Sequence, residues 1–183
     1  FSLIRSFIYM GMYYTWGRTS CHGVIHKTTR RCLGMVSALL VFWIAVSTCK
    51  HLVFENDVAA VRYLWYAYYI PQIMIAVLGL DIALMAGRGE TARPFRWRAA
   101  LYGTGAALIL LVLTNDLHQA VFSFPEEGAW TNASCTHETW YYIIMILIIL
   151  CAAVAVAIIV FKCRIPRRKK FTVLPFLCIF FII

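Results

Sequence analysis

Charge is scarce in this chain, acidic charge most of all. Only 14% of its residues are charged and 8 are Asp or Glu, against 62% hydrophobic, and its mean hydropathy is +0.77. A soluble domain carries about 25% charged residues, so there is too little polar surface here to coat a globule. The chemistry motifs are missing as well. No nucleophile elbow, phosphate loop, zinc-protease helix or paired-carboxylate arrangement occurs, and each would need a defined local scaffold. With no soluble segment of domain size, this chain is read as non-enzymatic and without a cofactor or a metal. No block joins a basic head to a small-residue cleavage site, so none fits a secretory signal. The paired broken helices of an inverted-repeat transporter are lacking too, because Pro71 and Pro175 do not form such a pair. The seven cysteines are an odd number. Cys32, Cys49, Cys151 and Cys178 lie in apolar blocks, where Cys behaves as a small hydrophobe, so no disulfide framework is expected.

What is present is a series of long apolar blocks. Crossing a hydrocarbon core of ~30 Å takes ~20 mostly apolar residues. Blocks 32–54, 63–86, 99–124 and 139–161 meet that length or come close. Block 1–16 is shorter and carries Arg5, yet ends in Tyr13, Tyr14 and Trp16, as an interfacial belt would. Block 171–183 is the start of a further span. The chain opens at Phe1 without methionine and stops at Ile183 within an apolar run, so it is expected to be a fragment. The fold class is all-α: a polytopic transmembrane helix bundle, a single domain over 1–183, with five spans and the start of a sixth.

The net charge of +9 sits in the gaps between blocks, which argues against a nucleic-acid partner and for a lipid bilayer. Residues 17–31 hold Arg18, Lys27, Arg30 and Arg31 without an acid. Residues 87–98 hold Arg88, Arg93, Arg96 and Arg98 against Glu90, and 162–170 hold Lys162, Arg164, Arg167, Arg168, Lys169 and Lys170. The alternate gaps are acidic: Glu55 and Asp57 against Arg62, then Glu126, Glu127 and Glu138 alone. Cytoplasmic loops collect Lys and Arg. The basic set is therefore inside, the acidic set outside, and the N-terminus outside, in a multi-pass protein of the cell membrane. Tyr63, Trp65, Tyr66, Tyr68 and Tyr69, with Trp140, Tyr141 and Tyr142, open the spans that start from the outer side, as amphipathic rings at headgroup level should.

One string stands out within a span: Thr114, Asn115, Asp116, Leu117, His118 and Gln119. Read as a continuous helix at roughly 100° per residue, its polar members share an arc of about 160°. Pro125 follows Asp116 closely, which places the patch roughly 5–15 Å below the outer end. Ionisable groups at membrane depth face a cavity or a partner. Lys50 and His51, at the outer end of block 32–54, should lie at similar depth, and Lys50 is the preferred partner of Asp116. Asn115, Asp116, His118, Gln119, Lys50 and His51 are thus the candidate ligand or sensing residues. Three readings stay open: hydrogen-bonded glue between helices, a pocket that binds or senses a small ligand, and a proton or ion path. Asp81, deep toward the inner face, is expected to pair with Arg88 or Arg98.

Two of these strings carry a resemblance. Arg62-Tyr63-Leu64-Trp65-Tyr66-Ala67-Tyr68-Tyr69-Ile70-Pro71 resembles the start of the third helix in bacterial seven-transmembrane sensor regions found at the N-terminus of histidine kinases. Leu111-Val112-Leu113-Thr114-Asn115-Asp116-Leu117-His118-Gln119 resembles the fourth-helix signature of the same group. Phe42-Trp43 and Trp140-Tyr141-Tyr142 fall where its second and fifth helices would be. The resemblance implies an N-out, C-in bundle of seven helices followed by an output module. None of His22, His26, His51, His118 or His137 has the context of a phosphoacceptor. The expected function is the membrane-embedded sensory region of a bacterial signal-transduction protein, without its output module. A small transporter or proton-coupled carrier using Asp116 and Asp81 is the alternative. A small ligand and a second copy of the chain are the candidate partners besides lipid.

The orientation gives a direct expectation. A membrane-impermeant thiol reagent added to intact cells should label Cys135 and spare Cys163; labelling of Cys163 from outside would reverse the topology.

Overall fold

In a hydrocarbon solvent an uncharged backbone has no hydrogen-bond partner but itself, and an apolar chain long enough to cross must coil into helices. The computed structural model describes residues 2–22, 27–52, 58–85, 97–124 and 135–162. In chain order they form α1 (Ser2–His22), α2 (Lys27–Leu52), α3 (Val58–Met85), α4 (Arg98–Leu113), α5 (Asn115–His118), β1 (Phe122–Ser123), β2 (Thr136–His137) and α6 (Thr139–Lys162). Among these, α2, α3 and α6 contain stretches long and apolar enough to cross a membrane: Lys27–Lys50, Ala60–Met85 and Thr139–Ile159. The 16 residues of α4 are apolar but shorter. The 21 residues of α1 have the length without the same apolarity. The expected block 171–183, the basic segment 163–170 and the side chain of His51 lie outside the described residues.

The helices extend past the apolar blocks into their polar flanks. Helix α2 begins at Lys27, so Arg30 and Arg31 belong to its first turns, and α3 begins at Val58, which puts Arg62 on a helix rather than in a loop. Hydropathy marks where lipid stops, whereas backbone hydrogen bonding continues until something interrupts it.

α3 is the centre of the packing. It contacts α2, α4 and α6, while α1 packs chiefly on α2. On one face of α3, Ile75 and Leu78 meet Cys32, Val36, Leu40 and Trp43 of α2. On another, Tyr66, Tyr69, Ile73 and Ala76, at helical spacing, meet Leu108 and Val112 of α4, and Ile144, Ile148 and Cys151 of α6. Lipid is as apolar as leucine, so close packing rather than water exclusion holds such helices together. Small residues allow it: a Cβ on the buried Gly105 would stand 3.1 Å from the Val77 side chain. Leu110, Leu117, Ile146, Ile149 and Leu150 point away from the bundle, exposed.

The middle of α3 is not optimised for stability. Pro71 lies inside it and leaves the carbonyl of Ala67 without the N–H donor of the next turn. Beside it, Gln72 is 3% exposed, and neither of its amide atoms has a partner among the described residues. A buried polar group left unpaired costs about 1–3 kcal/mol.

One expectation is corrected here. The span expected over 99–124 is not one helix: α4 stops at Leu113, α5 adds a single turn, and Gln119 closes it in the left-handed region at φ 44°. Beyond that turn, the described residues hold a minimal β element. A two-residue antiparallel ladder pairs Phe122 with His137 and Ser123 with Thr136. Val121 and Phe122 are fully buried, and backbone enclosed by protein need not be helical even near a membrane.

Candidate functional site

The turn that ends α4 organises the end of the bundle at which α3 begins. Asn favours positions where its short amide can replace backbone partners, and Asn115 does so completely. Its Oδ1 accepts from the backbone N–H groups of Val121 and Phe122, each at 3.0 Å. Its Nδ2 donates to the Phe122 carbonyl at 2.9 Å and to the Tyr66 hydroxyl at 3.3 Å. Both lone pairs and both N–H groups of the amide are then in use, at a residue with no exposed surface. These bonds fold the chain after α5 back onto the helix end, which is why the helix cannot continue to Phe124.

The returning segment delivers Phe122 into an aromatic box. Its ring lies 4.4 Å from that of Trp65, 5.3 Å from Tyr69, 5.7 Å from Tyr141 and 5.9 Å from His137, centroid to centroid, and is stacked on Tyr66 at 6.3 Å. Not all the tyrosines expected at headgroup level face outward. Tyr63, Trp140 and Tyr142 are exposed, whereas Tyr66 and Tyr69 are buried, because the helical period turns residues three and four apart onto the same inner face. Cys135 packs against this box. Burial pushes its thiol above the ordinary cysteine range, so labelling it calls for mildly alkaline conditions.

Asp116 joins this frame to the start of α3. Its Oδ1 accepts from the Tyr66 hydroxyl at 2.6 Å, and its Oδ2 pairs with Arg62 Nη2 at 3.2 Å. Arg62 and Tyr66 stand four residues apart on one face of α3, so a single helix presents both donors. The pair keeps access to its surroundings, with side-chain exposures of 33% for Arg62 and 26% for Asp116. Asp116 thus points into the bundle as expected, but the cation that meets it is Arg62 and not Lys50. The other candidates separate. His118 is exposed: its Nδ1 accepts from the Ala120 N–H at 3.0 Å, and its Nε2 lies 3.3 Å from the Thr114 hydroxyl. With Nδ1 as acceptor, a neutral ring carries its proton on Nε2 and donates it to Thr114. Gln119 is exposed and serves as the helix cap, its N–H bonded to the Asn115 carbonyl at 2.7 Å. The shared polar arc fails because it assumed a continuous helix.

A second polar cluster lies at the other end of α3. Asp81, 1% exposed, receives Arg98 Nη2 at 2.9 Å, Arg98 Nε at 3.1 Å and the Tyr102 hydroxyl at 2.9 Å, all on Oδ2. The Cys32 thiol of α2 donates to the same oxygen at 3.6 Å. This is the expected pairing with Arg98, extended to three helices.

Sequence reasoning missed Arg62 and Tyr66 as members of the Asp116 cluster. A signal was available: Arg62 is the only base in an otherwise acidic gap, four residues before a tyrosine.

Asn115→Ala should be the most damaging single change at this end. It strands the buried N–H groups of Val121 and Phe122 and the Phe122 carbonyl, a loss of about 3 kcal/mol or more at 1–3 kcal/mol per group. Tyr66→Phe should cost only about 1–2 kcal/mol. Thermal unfolding in nanodiscs measures both; equal melting temperatures for the two variants would contradict the capping role.

The family described as the N-terminal 7TM region of histidine kinase matches residues 2–183. Neither a curated protein nor a solved structure matches the chain. The long apolar helices accord with that match. The match covers nearly the whole chain, and the region it describes is a sensory, non-catalytic membrane region. The chain belongs to the family of N-terminal seven-transmembrane regions of histidine kinases.

Proposed function

We propose that this chain is the receptor part of a bacterial signalling protein, with its N-terminus outside the cell, and that the Arg62–Asp116–Tyr66 cluster is where the stimulus acts. The observation that carries this reading is the ion pair itself. It ties α3 to the turn after α4 while remaining partly exposed, so a ligand or a change at the membrane surface can compete for it. A fully buried pair would not be open in that way. A ligand biases a protein only through a difference in its interaction with two packings. The outer cluster supplies that difference, since Asp116 either holds Arg62 and Tyr66 or exchanges them for another partner.

α3 carries the change inward. It holds Arg62 and Tyr66 at one end and Asp81 at the other, with Pro71 between them beside the Gln72 amide, which has no partner among the described residues. A helix weakened at its middle is where two arrangements of similar energy are found. At the other end, which this orientation makes the cytoplasmic one, the Asp81 cluster holds α2, α3 and α4 together. The output module that the family implies, a histidine kinase following the last helix, would read this arrangement. Transport through Asp116 and Asp81 is less well supported, because each carboxylate is already engaged by an arginine.

The test uses the full-length protein in membranes. Asp116→Asn keeps the size and an acceptor for the Tyr66 hydroxyl but releases Arg62. For a sensing cluster, the bundle should melt within a few degrees of the parent, and basal kinase autophosphorylation should shift by roughly 5-fold or more, the lower end of coupling between sites. If the cluster is only glue, melting falls while autophosphorylation at a permissive temperature stays at the parent level.

A further inference from the structure

Among the described residues, a groove of about 570 Å³ lies between the second half of α1 and the first half of α2. The two helices are pinned together beside it. Gly17 is buried against Ser37, where a Cβ would overlap the serine side chain, and the Ser37 hydroxyl donates to the Tyr13 carbonyl at 2.9 Å. Farther along α2 the wall is built of Ala38 and Val41, which are too small to fill the space. The rim has a different chemistry. Arg18 and His22, on successive turns of α1, line it together with Tyr14. Arg18 is exposed, and its Nη1 makes only a long hydrogen bond, to the Tyr14 hydroxyl at 3.4 Å. The ion pairs of the described residues belong to Arg62 and Arg98. Lys27, Arg30 and Arg31 open α2 nearby, and residues 17–31 contain no acid to neutralise them.

From this geometry we infer that the groove binds an anionic phospholipid, its phosphate on Arg18 and His22 and its acyl chain along Ala38, Val41 and the Tyr14 ring. Guanidinium is suited to phosphate, which it meets through paired N–H donors. Basic pockets between transmembrane helices take such headgroups. A free anion would use the rim alone, whereas the apolar floor running away from it matches a chain attached to the anion. The leaflet follows from the orientation proposed above, in which the basic end of α1 is cytoplasmic; the binding itself does not depend on it.

The chain is reconstituted in nanodiscs of phosphatidylcholine with or without phosphatidylglycerol, and bound lipid is counted by native mass spectrometry. Phosphatidylglycerol should be retained in preference to phosphatidylcholine. Arg18→Gln should weaken that retention roughly fivefold, the equivalent of about 1 kcal/mol per cationic side chain at the surface. Arg5→Gln removes the same charge from the other end of α1 and should leave retention at the parent level. Val41→Phe fills the floor, keeps every charge and should also release the lipid. Circular dichroism of each variant separates loss of lipid from loss of fold. Equal weakening by Arg5→Gln and Arg18→Gln would mean diffuse attraction and overturn the site. Displacement of the lipid by inorganic phosphate alone would overturn the lipid in favour of a free anion. Because the readout is bound lipid, neither outcome depends on the sensory role.

Discussion

A carboxylate cannot be left alone in a low-dielectric interior, and α3 must satisfy that condition at both of its ends. Removing one member of a buried ion pair typically costs 3–5 kcal/mol, because the survivor keeps its desolvation penalty. Asp81 is close to that limit: its side chain is 2% exposed and both Arg98 and Tyr102 converge on one oxygen. Asp116 is not. With a quarter of its side chain exposed and Arg62 a third exposed, screening takes much of that energy away. The same helix therefore ends in a tight pair on one side and a labile pair on the other. The rest of the structure is arranged around it, since α2, α4 and α6 meet chiefly through α3.

That asymmetry fits a receptor. Input requires a contact that a stimulus can displace at modest cost, and Arg62–Asp116 is such a contact. Output requires that a small movement meet a resisting structure, and the Asp81 cluster holds three helices on one oxygen. Between them, Pro71 removes a backbone bond and the Gln72 amide has no partner among the described residues. A sequence selected only for a rigid bundle would gain from replacing both. The frame around Asn115 is the opposite case: its amide uses all four of its hydrogen-bonding positions and Phe122 is enclosed by aromatic rings, so the turn that presents Asp116 is held by more contacts than the ion pair.

Much of this was legible in the residues. Uncharged blocks marked α2, α3 and α6 because only a helix satisfies the backbone in lipid, and the inner pairing of Asp81 followed from the basic gap after α3. What could not be read was where helical hydrogen bonding stops. Thr114 to Gln119 was taken as a continuation of α4, and the shared polar face rested on that assumption. Asn115 instead uses its side chain to bond Val121 and Phe122, contacts six and seven residues ahead that no helical period contains. The partner of Asp116 was missed for a related reason. Hydropathy began α3 at Tyr63, whereas the helix begins at Val58, so Arg62 was assigned to a loop and Lys50 was chosen in its place. Both errors lie at helix ends, where one side chain decides the path of the backbone.

The central claim is that the two ends of α3 are energetically linked, across roughly 28 Å at 1.5 Å per residue. A double-mutant cycle measures it most directly, with Arg62→Gln at the Asp116 end, Arg98→Gln at the Asp81 end, and unfolding free energies of both single variants and the double variant in nanodiscs. Sites this far apart with no shared partner add to within about 0.3–0.5 kcal/mol. Transmission through α3 predicts an interaction energy above that range, with the second substitution costing less once the first has loosened the helix. Strict additivity would contradict the account, leaving two independent ion pairs on one helix.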